Sequence, residues 1–262
     1  MIIDIPTSED FYISGKELLD FAWNIVVAEL LSEIDYVGSS RDIDQNELDA
    51  YWRAAKRKLS TALSITQQGV EFILKGKIAD VSVFILIAGD PSKWPSSSQE
   101  NIKFSQFRML DAQDLIKVHN MVSKTSLPES FTKEFNQLRE TRNSIIHSID
   151  KNLNIRAMEV VNSILFMHKY LFPNETWGQV RKEFLLNDSS SQIEGTDHVI
   201  NTVCTEIALI FKLLDPAKVK TYFGIDKKQR KYFCPECYIQ ASHDCGFDRQ
   251  FKSEVQHLEI LS

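Results

Sequence analysis

Apolar positions recur at spacings of three and four residues along nearly the whole chain, and that period predicts a protein built from α-helices. Leu18, Phe21, Ala22, Ile25, Ala28 and Leu31 form the first stripe. Ser14 and Glu17 ahead of it have the spacing of a capping box, a hydroxyl followed three residues later by a carboxylate, and the stripe runs out near Gly38. Asp44 and Glu47 repeat that spacing and open a longer pattern through Leu48, Trp52, Ala55, Leu59, Ala62 and Leu63. Its outer side carries Arg53, Lys56, Arg57 and Lys58, the usual composition of a solvated helix face. From Val70 to Ala88 the chain is apolar nearly all round. Val81 to Ile87 has the β-branched content of a strand, but the helical flanks favour a buried helix segment. The stretch 89–98, GDPSKWPSSS, is a loop in which Trp94 is expected to anchor on the core, with base stacking as its other use.

Beyond the loop, Leu115, Ile116 and a structural His119 mark the inner side of a helix over 111–123. Pro128 suits the first turn of the next one, in which Phe131, Phe135, Leu138, Ile145 and Ile149 share a face. Position 142 falls on the same stripe and holds an arginine, which keeps its charge at any working pH and therefore needs a partner, an anion or a wet interface. Asn154 is expected to cap a helix through Val161, Ile164, Leu165, His168 and Leu171, stopped by Pro173. A short helix over 177–186, a polar linker over 187–195 and a stripe of Val199, Val203, Ile207, Ile210 and Leu214 follow, the last ended by Asp215-Pro216. No strand alternation interrupts this pattern. The expected fold class is therefore all-α, with a helical bundle over 1–173 and a helical extension over 174–262.

Charge narrows the partners. Thirty basic against thirty-six acidic residues give a net charge of −6, so any nucleic acid must be met by a local patch. The first residues, MIIDIPTSEDF, contain no long apolar run, and no later stretch is apolar enough to span a bilayer, so the expectation is a cytoplasmic protein without a membrane partner.

Four cysteines, three of them clustered near the C-terminus, fit a reduced compartment and a metal better than a disulfide framework. Cys234-Pro-Glu-Cys237 has the spacing of a zinc knuckle, and His243 and Cys245 complete a Cys₃His set. Only one residue separates His243 from Cys245, which leaves His257 as the alternative fourth ligand. Four protein ligands leave no open coordination position, so the zinc (Zn2+) would be structural. A basic stretch precedes it, Lys218, Lys220, Lys227, Lys228, Arg230 and Lys231, and its part from Lys227 to Lys231, together with Tyr232, Phe233 and Tyr238, has the composition that grips single-stranded RNA. Cys204, beside Val203 on an amphipathic stripe, reads as a small core residue.

The densest chemistry is Arg142-Asn-Ser-Ile-Ile-His147. Asn143 and His147, four apart, share a helix face, and the long Arg142 side chain can reach round to it. The trio offers a group that titrates near neutral pH, a fixed cation and an orienting amide. Those are the parts that metal-free RNA transesterification uses: a proton acceptor and donor at the reacting oxygens and a cation on the phosphorane. The stretch LRETRNSIIHS resembles the signature of the HEPN superfamily, an Arg followed by a polar residue and then by His after four to six intervening positions. The resemblance extends over roughly Ser14 to Phe172. It implies a four- to five-helix domain that homodimerises, with Arg142 and His147 catalytic and Asn143 positioning them in a site shared across the interface. It further implies a metal-independent endoribonuclease of the toxin or antiviral-defence type, partnered by RNA and by an antitoxin or regulatory protein. The alternative is a non-catalytic nucleic-acid or protein-binding adaptor in which the zinc unit docks and the bundle only dimerises.

Overall fold

The computed structural model describes residues 1–95, 101–147, 154–189, 193 and 196–227. The protein is mostly helical, as the period requires, with one very short sheet. β1 (Ile2–Ile3) pairs in parallel with β2 (Ile102–Lys103), Ile2 opposite Ile102, and Lys103 reaches Asp4 at 3.1 Å. Two residues per strand are too few to leave an alternation in the sequence.

The chain divides into two compact units. The first comprises 1–26 and 50–171, and the second comprises 27–49 and 172–262. In the first unit, α1 (Ser8–Trp23) begins earlier than the Ser14–Glu17 spacing suggested. Its cap is Thr7, whose hydroxyl accepts from the Asp10 amide at 3.2 Å while the Asp10 carboxylate accepts from the Thr7 amide at 2.7 Å. The Thr7 amide, and after it the Thr7 hydroxyl at 2.7 Å, donate to the Asp10 carboxylate and hold its carboxyl below the usual carboxylate range. Its buried stripe is anchored by Phe11, Tyr12 and Gly15 and continues through Leu19, Ala22 and Trp23, while Phe21 is exposed.

The Asp44–Glu47 box forms as expected. The Glu47 amide donates to Asp44 at 2.9 Å, the Asp44 amide donates to Glu47 at 3.1 Å, and α3 (Gln45–Ser82) follows. Ala55, Leu59, Ala62 and Leu63 are buried as the stripe predicts. α1 and α3 approach until their backbones nearly touch. A Cβ on Gly15 would lie 2.8 Å from the Gly69 carbonyl oxygen, and a Cβ on Gly69 equally close to that of Gly15. Two turns further along α3, the Tyr12 ring fills the space a side chain at Gly76 would need. The Tyr12 hydroxyl donates to Asp80 Oδ2, and burial together with that carboxylate pushes its phenol well above the ordinary range. The 81–87 segment is neither a strand nor a buried helix. α3 ends at Ser82, a 3₁₀ turn spans Val83–Leu86, and Val81 and Phe84 are about half exposed, at 54% and 49%.

Trp94 stands edge-on to Phe107, ring centres 5.4 Å apart, and is still 41% exposed. α4 (Ala112–Val122) buries Leu115, Ile116 and His119; the His119 ring lies 3.0 Å from Asn120 Oδ1, which also accepts from the Leu127 amide. α5 (Glu129–His147) starts directly after Pro128. α6 (Ala157–Leu171) starts later than an Asn154 cap would place it. The residue ahead of it is Arg156, whose amide donates to Glu159 at 3.2 Å. α5 and α6 pack in antiparallel register: Phe131 stacks on Phe166 and meets Tyr170 edge-on, and Ser163 donates to Glu134 at 2.9 Å.

In the second unit, α2 (Ser32–Ser40) contacts α8 (Thr196–Leu213), and α8 packs on α7 (Trp177–Asn187). α2 is the continuation of a π-helical segment over Asn24–Leu31 that buries Val27, Leu30 and Leu31. Thr176 and Gln179 cap α7 reciprocally. The α8 stripe of Val199, Val203, Ile207 and Ile210 is buried, as is Leu214 just beyond it. Asp215-Pro216 does end α8, and it also begins α9 (Pro216–Phe223), with Asp215 accepting from the Lys218 amide at 2.9 Å and Gly224 closing the helix at φ 75°. An Asp-Pro pair is as good an N-cap and first turn as it is a stop. Of the expected 187–195 linker, only 187–189 and 193 are described. No helix among the described residues is long and apolar enough to cross a membrane.

Candidate functional site

The site is built on α5. Phe131, Phe135 and Leu138 are buried at 0%, 1% and 4% exposure, so the first half of the stripe is core. The second half leaves it. Arg142 and Ile145 are only partly covered, Ile146 is half exposed, and Asn143 is open to solvent. Arg142 therefore sits where the stripe emerges from the hydrophobic interior. A charge there keeps much of its hydration, which resolves the apparent conflict of an arginine on an apolar face.

The Arg142 side chain turns toward Asn143, and its Nη1 donates to Asn143 Oδ1 at 3.3 Å. The expected reach of the arginine round the helix is thus observed. His147 is the last residue of α5, one turn beyond Asn143, and its side chain lies outside the described residues. Ile149, the expected end of the stripe, lies outside them too.

Arg142 has no carboxylate partner, a condition it shares among the described residues with Arg53, Arg57 and Arg139. Arg41 pairs with Glu47 at 2.8 Å, Arg108 with Asp111 at 2.7 Å, Arg156 with Glu159 at 3.9 Å and Arg181 with Glu206 at 2.9 Å. Arg142 has no ion pair among the described residues, and neither does Arg139, one turn earlier. The Arg139 Nε is buried without a hydrogen-bond partner, and Glu140 is exposed and pairs with neither arginine. Two uncompensated guanidiniums on adjacent turns make a positive strip. Such a strip favours an anion, and each planar fork can hold two oxygens of one phosphate.

The metal expectation falls elsewhere. Cys234, Cys237, His243, Cys245 and His257 all lie outside the described residues, and among those described no three His, Cys, Asp or Glu side chains gather as a metal-ligand set. Part of the basic run ahead of the cysteines is described. Lys227 Nζ donates to the Phe211 and Leu214 carbonyls, closing the end of α8, and Lys220 stands 4.0 Å from Asp226. A cation at a helix C-terminus satisfies orphan carbonyls and the negative end of the dipole. Lys227 thus has a structural task that its place in a basic cluster did not suggest. Cys204 is partly buried on α8, and burial pushes its thiol up to about 11, the behaviour of a packing residue.

No known family model matches this sequence, and no curated protein or solved structure is significantly similar to it.

Proposed function

We propose that this protein is a metal-independent endoribonuclease of the HEPN type, active as a homodimer that brings two α5 motifs together around one RNA phosphate. The observation that carries the reading is Arg142. It stands at the solvent edge of an apolar stripe without a carboxylate, oriented by Asn143, one helical turn before His147. The arrangement of the first unit also suits the resemblance, since α5 packs against α4 and is followed by one further helix, α6, within a compact set of helices.

In the proposed reaction His147 accepts the proton of a ribose 2′-hydroxyl as its oxygen attacks the adjacent phosphorus. The bond from phosphorus to the 5′-oxygen breaks, and that oxygen takes a proton from the imidazolium of the paired motif. The products are a 2′,3′-cyclic phosphate and a 5′-hydroxyl. Arg142 stabilises the charge that builds on the non-bridging oxygens, and Asn143 holds the guanidinium in place. Zinc on Cys234, Cys237, Cys245 and either His243 or His257 belongs to this proposal as a structural clip and takes no part in the reaction.

The deciding experiment incubates the purified chain with RNA in EDTA beside His147→Ala and Arg142→Ala variants. Cleavage that leaves a cyclic phosphate and falls about 10²–10⁴-fold in both variants is the expected result. RNA that is bound but left intact by the native chain replaces this reading with the adaptor. Metal analysis of protein purified without chelators tests the clip, with one zinc per chain expected.

A further inference from the structure

Arg139 takes no part in the proposed reaction, yet it stands in the same row of α5 as residues that do. Arg139, Asn143 and His147 are spaced four and four, so they follow one another along one side of the helix, about 6 Å apart at each step. Arg142 lies off that row and is brought to it by its bond to Asn143. One strip of α5 therefore carries, in order, a guanidinium, a second guanidinium held by an amide, and His147 at the end of the helix.

Arg139 bears a cost that nothing around it offsets. It sits on the flank of the stripe that buries Phe135 and Leu138, is partly covered itself, and has its Nε shut off from water without an acceptor. Its charge is permanent, so it cannot lose a proton to escape that cost. No carboxylate answers it. Glu134 accepts from Ser163, Glu140 is exposed and pairs with neither arginine, and Phe135, Asn136, Arg142 and Asn143, one turn to either side, include no acid. A charged fork whose buried donor finds no acceptor within the chain is suited to an acceptor from outside it.

That acceptor is not the reacting phosphate. Arg139 stands two turns from His147, about 12 Å along the axis, and helical side chains lean toward the N-terminus, away from the end of α5 that carries the histidine. Arg142 and Asn143 occupy the turn between. One helical turn, about 5.4 Å, is the scale on which successive phosphates follow each other along a single strand.

We propose that Arg139 holds the phosphate next to the one that is cleaved, and so sets the smallest good substrate at two consecutive phosphodiesters. The inference rests on the nuclease reading for the identity of the anion and deepens it by naming a specificity-determining residue. Its place one turn from Arg142, on the row that ends in His147, favours a phosphate of the same strand over a carboxylate from another protein.

The test uses a short 2′-O-methyl oligonucleotide with one free ribose 2′-hydroxyl, and hence one cleavable bond. A twin replaces the phosphodiester on each side of that bond by a methylphosphonate, which keeps the shape and removes the charge. Both sides are neutralised because two-fold related copies of α5 meet the strand from opposite directions. The native chain is expected to cleave the charged substrate with a kcat/KM about tenfold above that of the twin, the value of one charge-assisted contact. Arg139→Gln should lose that factor on the charged substrate, chiefly through KM, and leave the twin unchanged. Arg139→Lys, which keeps the charge without the fork, should restore part of the preference. Arg142→Gln acts at the reacting phosphate and should slow both substrates alike. An unchanged Tm for Arg139→Gln confirms its fold. A native chain without the preference, or an Arg139→Gln chain that keeps it or slows both substrates alike, overturns the inference. If neither substrate is cleaved, fluorescence anisotropy on fully 2′-O-methylated strands reads the same comparison as Kd. A preference for flanking charge that depends on Arg139, without cleavage, overturns the nuclease reading alone. Cleavage without that dependence overturns the Arg139 assignment alone, and the absence of both overturns both.

Discussion

Arg181 and Arg142 both interrupt apolar helical stripes, and the protein treats them in opposite ways. Arg181 on α7 is 2% exposed and meets Glu206 on α8 through two contacts, Nε to Oε2 at 3.0 Å and Nη2 to Oε1 at 2.9 Å. Arg142 on α5 is only partly covered and has a neutral amide at 3.3 Å. Full burial obliges a cation to bring its counter-charge with it, and once paired it has nothing left to offer a ligand. A cation at the rim of the core can do without a counter-charge because water stands in for one, and an arriving anion can displace that water. The first arrangement belongs to the fold and the second is suited to a site.

The largest expected effect separates the two in stability. Arg181→Met takes the paired guanidinium away from the buried Glu206 carboxylate, and the expected loss is about 3–5 kcal/mol by urea denaturation. Arg142→Met should cost no more than about 0.5 kcal/mol, because it strands no charge. The double change Arg181→Met/Glu206→Leu should recover most of the loss, since an apolar pair of similar volume replaces the ion pair. Arg142→Met as damaging as Arg181→Met would make both arginines structural and remove the basis of the site.

The same contrast runs along α5 itself. Phe135→Ala empties a position at 1% exposure and is expected to cost about 3–5 kcal/mol, whereas Ile146→Ala, at 50% exposure, should cost about 1 kcal/mol or less. Equal losses would mean that the end of α5 is packed as tightly as its start. Between α1 and α3, Gly69→Ala forces a methyl against the Gly15 carbonyl and should destabilise by about 1–3 kcal/mol, read as a lowered Tm.

Much of this frame is legible in the residues. The Asp44–Glu47 box, the α3 and α8 stripes, the Pro128 start and the Pro173 stop all follow from local rules, because each depends on neighbours within one or two turns. The α1 start is ambiguous in sequence because Ser14–Glu17 and Thr7–Asp10 offer the same spacing, and the earlier start is the one that lets Phe11 and Tyr12 pack against α3. α9 is hidden in the sequence because Asp-Pro reads equally as an end and a beginning. The Gly15–Gly69 contact and the Arg181–Glu206 pair join residues far apart in sequence, and no local pattern marks them. At the candidate site the anomaly of Arg142 and its reach to Asn143 could be read from spacing. The uncompensated charge of Arg139, Arg53 and Arg57 could not, since it becomes visible only when the other arginines are seen to be paired.

The smallest expected stability change is the most direct way to erase the contrast. Asn143→Asp gives Arg142 what Glu206 gives Arg181, a carboxylate within reach of the guanidinium. On an exposed helix surface such a pair stabilises by about 0.2–1 kcal/mol, and the gain should disappear in high salt, where a buried pair would persist. If Arg142 serves as an open cation for phosphate, the same substitution should lower RNA cleavage about tenfold, because the new carboxylate competes with the substrate and repels it. A protein that gains the salt-sensitive stability and keeps full cleavage would show that the missing counter-charge is incidental. One that gains stability and loses activity would show that the vacancy beside Arg142 is what the helix is arranged to present.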